Sequence, residues 1–238
     1  MREYLLFIDT EASGLPKNWN APFSLIGNWP YAVQVSWLIY TRDGQQIKFE
    51  NHYINEGDFE ITPSAFNVHG ITHDFLKKQG ESRRSILTLL ADDLQHYQPL
   101  VVGHFMKFDA SVLGADYYRI GWKNPLDLLP TFCTMEATTS YVRNPRIKYL
   151  RLGDLYYILF KNNLEQQHNA LVDVRATADC FFELVKRCEI DLPAILQQEI
   201  KQKPTPATLE IKTPPQRIKY GIVAFILFLL TLLLYYWL

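Results

Sequence analysis

Two acids stand one residue apart at the end of an apolar run: Asp9 and Glu11 in "LLFIDTEASGLP", residues 5–16. Strand side chains alternate between faces, so Leu5, Phe7, Asp9 and Glu11 share one face if the strand runs that far. Charge at the end of a buried strand is expensive, and two anions on one face repel. A cation between them removes both costs, and the hard divalent ions Mg²⁺ and Mn²⁺ suit oxygen ligands best. On these two residues alone, a solvated strand end without function would look the same.

More acids of this kind are available. Asp109 follows "PLVVGHFMKF", where a strand passes into a helix, and Asp173 lies in the first turn of the helix of "HNALVDVRATADCFFEL". Each by itself is an ordinary helix-start acid, favoured by the helix dipole. His168 precedes Asp173 by five residues, and five helical residues turn about 500°, so the two would not share a face inside one helix. His168 is better placed in the loop before the helix, with Asn169 as the cap. There it could reach over a site built by Asp173. A lone histidine in such a loop is also commonly just solvated.

The elements that must position these groups follow from periodicity. "YLLFID" and "YAVQVSWLIYT" read as strands, "RDG" as a hairpin turn and "QQIKFENHYI" as a third strand, together an antiparallel meander. "ITPSAFNVHGITHDFLKKQG" reads as a loop with short helical turns. Ile86, Leu89, Leu90 and Leu94 mark "SRRSILTLLADDLQHY" as a helix. "PLVVGH" is a short buried strand, "FDASVLGADYYRIG" a helix ending at Gly121, and "LLPTFCTM" the last strand. "RLGDLYYILF" and "ALVDVRATADCFFELVKR" are helical, the second with Leu171, Val174, Ala178, Phe181 and Val185 along one face. Strands first, then strands alternating with helices, predict an α/β fold on a mixed sheet flanked by helices.

Composition narrows the class. The chain has 238 residues, 48% hydrophobic and 21% charged, with a net charge of −1. That balance carries no broad basic footprint, so nucleic-acid contact is expected to be local. Cys133, Cys180 and Cys188 form no CxxC pair, which argues against a zinc site or a disulfide framework and for a reducing compartment. The apolar run of "MREYLLFID" is too short for a signal peptide. Residues 220–238, "YGIVAFILFLLTLLLYYWL", hold no charge over 19 residues, with Arg217 and Lys219 before them and Tyr235, Tyr236 and Trp237 closing them. This predicts one C-terminal transmembrane helix with the rest of the chain on the cytoplasmic side, the membrane being a partner through that helix. Residues 191–216 hold five prolines, Pro193, Pro204, Pro206, Pro214 and Pro215, and read as a semi-extended linker, with a short helix over "IDLPAILQQEIKQ". The expected division is 1–190 domain, 191–216 linker and 217–238 anchor.

Order and spacing together go further. An Asp-x-Glu on the first strand, an Asp at a strand-to-helix step and a His-x₄-Asp opening a late helix resemble the DEDDh exonucleases, the family of the proofreading epsilon subunits of bacterial DNA polymerase III. "FIDTEASGLP" is similar to the first motif, notably that of the animal three-prime repair exonucleases. "HNALVDVRATADCFFEL" is similar to the last, and "FNVHGIT" to a loop of the epsilon-like branch. The resemblance spans residues 3–188. It implies a ribonuclease-H-like fold and 3′-to-5′ removal of nucleotides from a free end, with DNA the expected substrate. It implies Asp9, Glu11, Asp109 and Asp173 as ligands of two divalent cations, Mg²⁺ or Mn²⁺, and His168 as the general base, since imidazole titrates near neutral pH. Contacts to the terminal nucleotide are implied for Thr10, Ala12, Leu15 and Phe108, and a DNA polymerase or repair protein is the implied partner.

Two positions depart from the family pattern. Phe105 stands right after His104, where many relatives have the Asn of "GHN", and Ala12 replaces a common Thr. The first puts a supporting contact in question, the second a contact to the terminal nucleotide. "LPKNWNAPFSLIGNWP" reads either as a loop folded on its own aromatics or as a flap that stacks on bases. An RNA-trimming exonuclease and a catalytically silent, membrane-tethered binding module are the alternative functions.

Overall fold

A computed structural model describes residues 2–202 of the chain. β1 (Tyr4–Ala12) is the centre of a five-stranded sheet. It pairs antiparallel with β2 (Ala32–Thr41), which pairs antiparallel with β3 (Gln46–Tyr53). On its other side β1 runs parallel to β4 (Leu100–Gly103), and β4 parallel to β5 (Thr131–Cys133), giving the order β3-β2-β1-β4-β5.

Both faces of β1 are covered, which explains why its apolar run is continuous rather than alternating. Leu6 and Ile8 pack with Trp37 and Ile39 of β2 against α3 (Arg83–Tyr97) and α4 (Met106–Arg119), through Leu87, Leu90, Val112 and Tyr117. Leu5 and Phe7 pack on the opposite face against α6 (Leu152–Phe160) and α7 (Ala170–Lys186), through Leu155, Val174, Ala178 and Phe181. The short helices α1 (Pro63–His69), α2 (His73–Gln79) and α5 (Thr134–Ala137) sit in the connections. α8 (Leu192–Gln202) begins the segment read as a linker. Its Ile195 is buried in the second core, and Gln198 both accepts from the Cys133 amide and donates to the Cys133 carbonyl. A side chain thus pairs the outer edge of β5, which would otherwise offer free backbone groups.

The segment between β1 and β2 folds on its own aromatics. Trp29 is 4% exposed, packs edge-on against Trp19 and Phe23, and donates from its indole to the Ala21 carbonyl. Gly114 on α4 makes room for it: a Cβ there would lie 2.6 Å from the Phe23 ring. At the neck of the loop, Arg119 donates to the carbonyls of Trp29 and Pro30. The buried Asp116 carboxylate pairs with Arg119 and Arg83 and accepts from the Ala32 amide. Arg83 in turn makes a two-pronged pair with Asp58.

The transmembrane helix expected over residues 220–238 falls outside the described residues. Among those described, no helix is long and apolar enough to cross a membrane. The longest, α7, has 17 residues and carries Asp173, Arg175, Asp179, Glu183 and Lys186. Among the described residues the fold class is corrected to the ribonuclease-H-like mixed sheet with its helices. The membrane localisation, the cytoplasmic orientation and the membrane as a partner are withdrawn with the anchor.

Candidate active site

β1 holds Asp9 and Glu11 at its C-terminal end, opposite Ser36 and Gln34 of β2. The register shifts between Glu11 and Ala12, a bulge that ends regular pairing just past the second acid. Thr10 faces the other way: its hydroxyl and its amide both donate to Asp109 Oδ1, at 2.8 and 3.0 Å. The motif that supplies two acids therefore also anchors the third. Asp109 lies in the first turn of α4, 2% exposed.

The start of α7 supplies the rest. Asn169 caps the helix by accepting from the Leu171 amide, and Gln34 Oε1 accepts from the Ala170 amide while its Nε2 donates to Asn169. Gln34 is 1% exposed, and it ties β2 to the helix that carries Asp173. Asp173 Oδ2 accepts from the His168 amide at 2.9 Å, whereas Oδ1 is buried without a hydrogen-bond partner. An orphaned carboxylate oxygen is what a cation would complete. His168 sits at φ 67°, a left-handed conformation that costs a non-glycine residue about 1 kcal/mol or more, and the Asp173 carboxylate helps to hold it there. Ligand atoms of Glu11, His168 and Asp173 lie within 4.8 Å of one another. A cleft of about 310 Å³ opens over Asp9, Glu11, His168 and Asp173, with Ala12, Leu15 and Phe108 on its walls. Of the residues expected to touch the terminal nucleotide, Thr10 also lines the cleft, but its hydroxyl is already committed to Asp109.

α1 closes the cleft with Val68 and His69, residues to which sequence reasoning assigned no role. The only signal was their place in "FNVHGIT". His69 Nδ1 accepts from the Ile71 amide, so the ring proton sits on Nε2. Burial and nearby His168 hold the His69 imidazole below its usual range, opposed by the Ala12 carbonyl. Gln34 was likewise missed; it sits in a strand interior, where nothing in the sequence distinguishes it.

Electrostatics single out the carboxylates. Burial pushes Asp9 well above the usual carboxylate range, with Asp109, Asp173 and Glu11 adding repulsion. Burial, then Asp173 and Asp109, push Glu11 up to about 8. Burial raises Asp109 against its hydrogen bonds from Thr10, and burial raises Asp173 against its bond from the His168 amide. The metal-free fold thus binds protons more tightly than the unfolded chain. The stability that this cluster contributes is fully present below the ordinary carboxylate value of 4.5 and is lost as pH rises toward about 8. Thermal melting of the chelated protein is expected to show Tm falling over that window, and a divalent cation is expected to raise Tm more at pH 8 than at pH 6. A metal increment in Tm that did not grow with pH would contradict this.

A ribonuclease-H-like sheet whose carboxylates converge beside a histidine defines the class of metal-dependent nucleases. The exonuclease family model RNase_T matches residues 6–181, and the chain belongs to this family. Its Asp-x-Glu, Asp and His-x₄-Asp positions all fall within the matched residues. No curated protein matches it by sequence. Solved structures similar in fold include the zinc-bound form of an E. coli exonuclease I–single-stranded DNA complex, at 18% identity and a TM-score of 0.65. That likeness covers 83% of this chain and 42% of that one, so the chain spans less than half of that exonuclease's length. The nuclease domain of 3′hExo, a DEDDh family member bound to rAMP, is similar at 14% identity and a TM-score of 0.62, over 80% of this chain and 96% of that one. A 3′-exonuclease that recognises a histone mRNA stem-loop is similar at 13% identity and a TM-score of 0.62, over 78% and 83%.

Proposed function

We propose that this exonuclease shortens single-stranded DNA from its 3′ end, releasing nucleoside 5′-monophosphates by a two-metal reaction with His168 as general base. The observation that carries it is the convergence of Asp9, Glu11, His168 and Asp173 on one cleft, with Asp109 held beside them by Thr10. Two divalent cations, Mg²⁺ or Mn²⁺, held by the four carboxylates would activate a water and neutralise the leaving oxygen. The buried, unpartnered Asp173 Oδ1 supports such a ligand set. His168 takes the proton of the attacking water as that water's oxygen bonds to phosphorus. The bond to the 3′-oxygen of the preceding nucleotide breaks, and the terminal nucleotide leaves with the phosphate. His168 is exposed at the cleft, and the hydrogen bond from its backbone amide to Asp173 keeps the residue beside the carboxylates. Leu15 stands against the terminal base, Phe108 stands between that base and the next one, and the small Ala12 leaves room for the terminal sugar.

The choice of DNA rests on the likeness of "FIDTEASGLP" to the three-prime repair exonucleases. RNA is the second reading, supported by the rAMP held by a protein of the same fold. 5′-Labelled DNA and RNA oligomers of one sequence, run side by side, test both. A ladder shortening from the 3′ end, faster on DNA and abolished by EDTA, is expected. Faster shortening of RNA would reassign the substrate, and shortening that survives excess EDTA would overturn the mechanism.

A further inference from the structure

Phe105 breaks a local rule. It occupies the N-cap of α4 and makes no capping hydrogen bond, where Asn, Asp or Ser would contribute about 1 kcal/mol. Its ring is instead 40% exposed. This is the position at which the chain departs from the Asn of its relatives. Such a choice sacrifices helix stability and shows an aromatic face to solvent, and the neighbouring rings suggest what is gained.

Trp19, from the loop between β1 and β2, lies 5.7 Å from the Phe105 ring and 6.0 Å from Phe108, and the Phe105 and Phe108 rings stack 6.0 Å apart at 21°. Phe108 lines the carboxylate cleft, so the three rings continue its wall outward. Trp19 is fixed from behind by Trp29, which makes it part of a built surface and not a free loop tip. Positive charge accompanies the rings. The Lys107 ammonium lies 5.9 Å from the Trp19 ring. One residue from Phe105, His104 is kept neutral by burial, its pKa pushed down to about 4, and donates from Nε2 to the Leu150 carbonyl. That bond fixes the end of an exposed segment with Arg143, Arg146, Lys148 and Arg151 and no acid between Glu136 and Asp154. Flat rings that continue a nuclease cleft, with Lys107 beside them, match a single nucleic-acid strand: bases stack on the rings and a phosphate meets the charge.

We propose that Trp19, Phe105 and Phe108 form a stacking platform for the base immediately 5′ of the nucleotide being removed. The inference rests on the proposed 3′-end chemistry and adds a binding subsite to it, one built from this chain's own departure from the family pattern. Stacking does not read base identity, so the platform favours unpaired ends of any sequence.

Binding tests it apart from catalysis. Oligothymidylates with phosphorothioate linkages at the 3′ end resist hydrolysis, and their affinity is read by fluorescence anisotropy in Mg²⁺. One probe is intact, and the other lacks the penultimate base. Phe105→Ala and Trp19→Leu are each expected to weaken the intact probe about 5- to 100-fold. Removing the penultimate base is expected to weaken wild-type binding similarly but to cost the Phe105→Ala variant little, since base and ring lose the same contact. Phe105→Tyr should restore affinity and Phe105→Leu should not, while near-identical melting curves for all variants exclude misfolding. Unchanged affinity in Phe105→Ala, or equal losses on base removal in wild type and variant, would overturn the platform. Wild-type hydrolysis of the p-nitrophenyl ester of thymidine 5′-monophosphate, which has only the terminal nucleotide, reports the carboxylate site alone. Its absence would count against the proposed chemistry and leave the binding result to decide the platform.

Discussion

Asp9→Ala and Asp173→Ala are each expected to lower the metal-dependent release of 3′ nucleotides by about 10³-fold or more. Metal chemistry at such a centre is worth several kcal/mol of transition-state stabilisation, and about 1.4 kcal/mol corresponds to each factor of ten. Burial and repulsion from Asp109, Asp173 and Glu11 hold Asp9 well above the usual carboxylate range, and a cation beside it would favour its charged form. Asp173 has a second task, because the same carboxylate holds the His168 amide. Asp173→Asn keeps the size of the side chain and separates loss of charge from loss of shape. Mn²⁺ titration is expected to show weakened binding in all three variants. Their folds should persist: removing an acid from a repelling cluster relieves strain in the metal-free protein, and Tm at pH 8 should rise. Nuclease activity of the Asp9→Ala variant at the wild-type rate would remove the carboxylates from the mechanism.

His168→Ala is expected to cost about 10²–10⁴ in kcat, the usual loss when a general base is removed. The signature that separates this role from a structural one is the combination of readouts. KM for the oligomer and Mn²⁺ affinity should change far less than kcat, since the four carboxylates remain. The acidic limb of the kcat–pH profile should shift or vanish with the imidazole. His168→Gln keeps polarity without a titratable base and should be as slow as the alanine variant. A His168→Ala enzyme that ran at wild-type speed between pH 6 and 8 would disprove the role. The left-handed backbone at His168 adds an internal control, since a glycine there relieves the strain. His168→Gly should fold at least as stably as His168→Ala and be equally inactive.

The span expected at residues 220–238 rests on composition alone. The uncharged run at residues 220–238 satisfies the length rule for a membrane span, yet a hydropathy pattern describes an affinity and not a placed helix. The long helices α3 and α7 are of another kind, with one face in a core and the other carrying charge.

Local periodicity was enough to place the candidate residues on their elements. The period of two put Asp9 and Glu11 on the face of Leu5 and Phe7, and the helical period put His168 outside the helix that begins after it, where Asn169 caps it. These are properties of neighbours in the chain, and short-range geometry decides them. What tertiary structure alone decided are contacts between residues far apart in sequence. Thr10 lies in the same short motif as the acids, and a residue 99 positions away accepts from its hydroxyl. Gln34 reads as a strand residue among others, yet it holds the start of a helix 136 positions on. Phe105 reads as a lost asparagine until Trp19, Phe108 and the cleft wall are brought beside it. No periodicity encodes such pairs, because they exist only once packing of the two sheet faces has closed the intervening loops and made the long-range contacts worth their entropy.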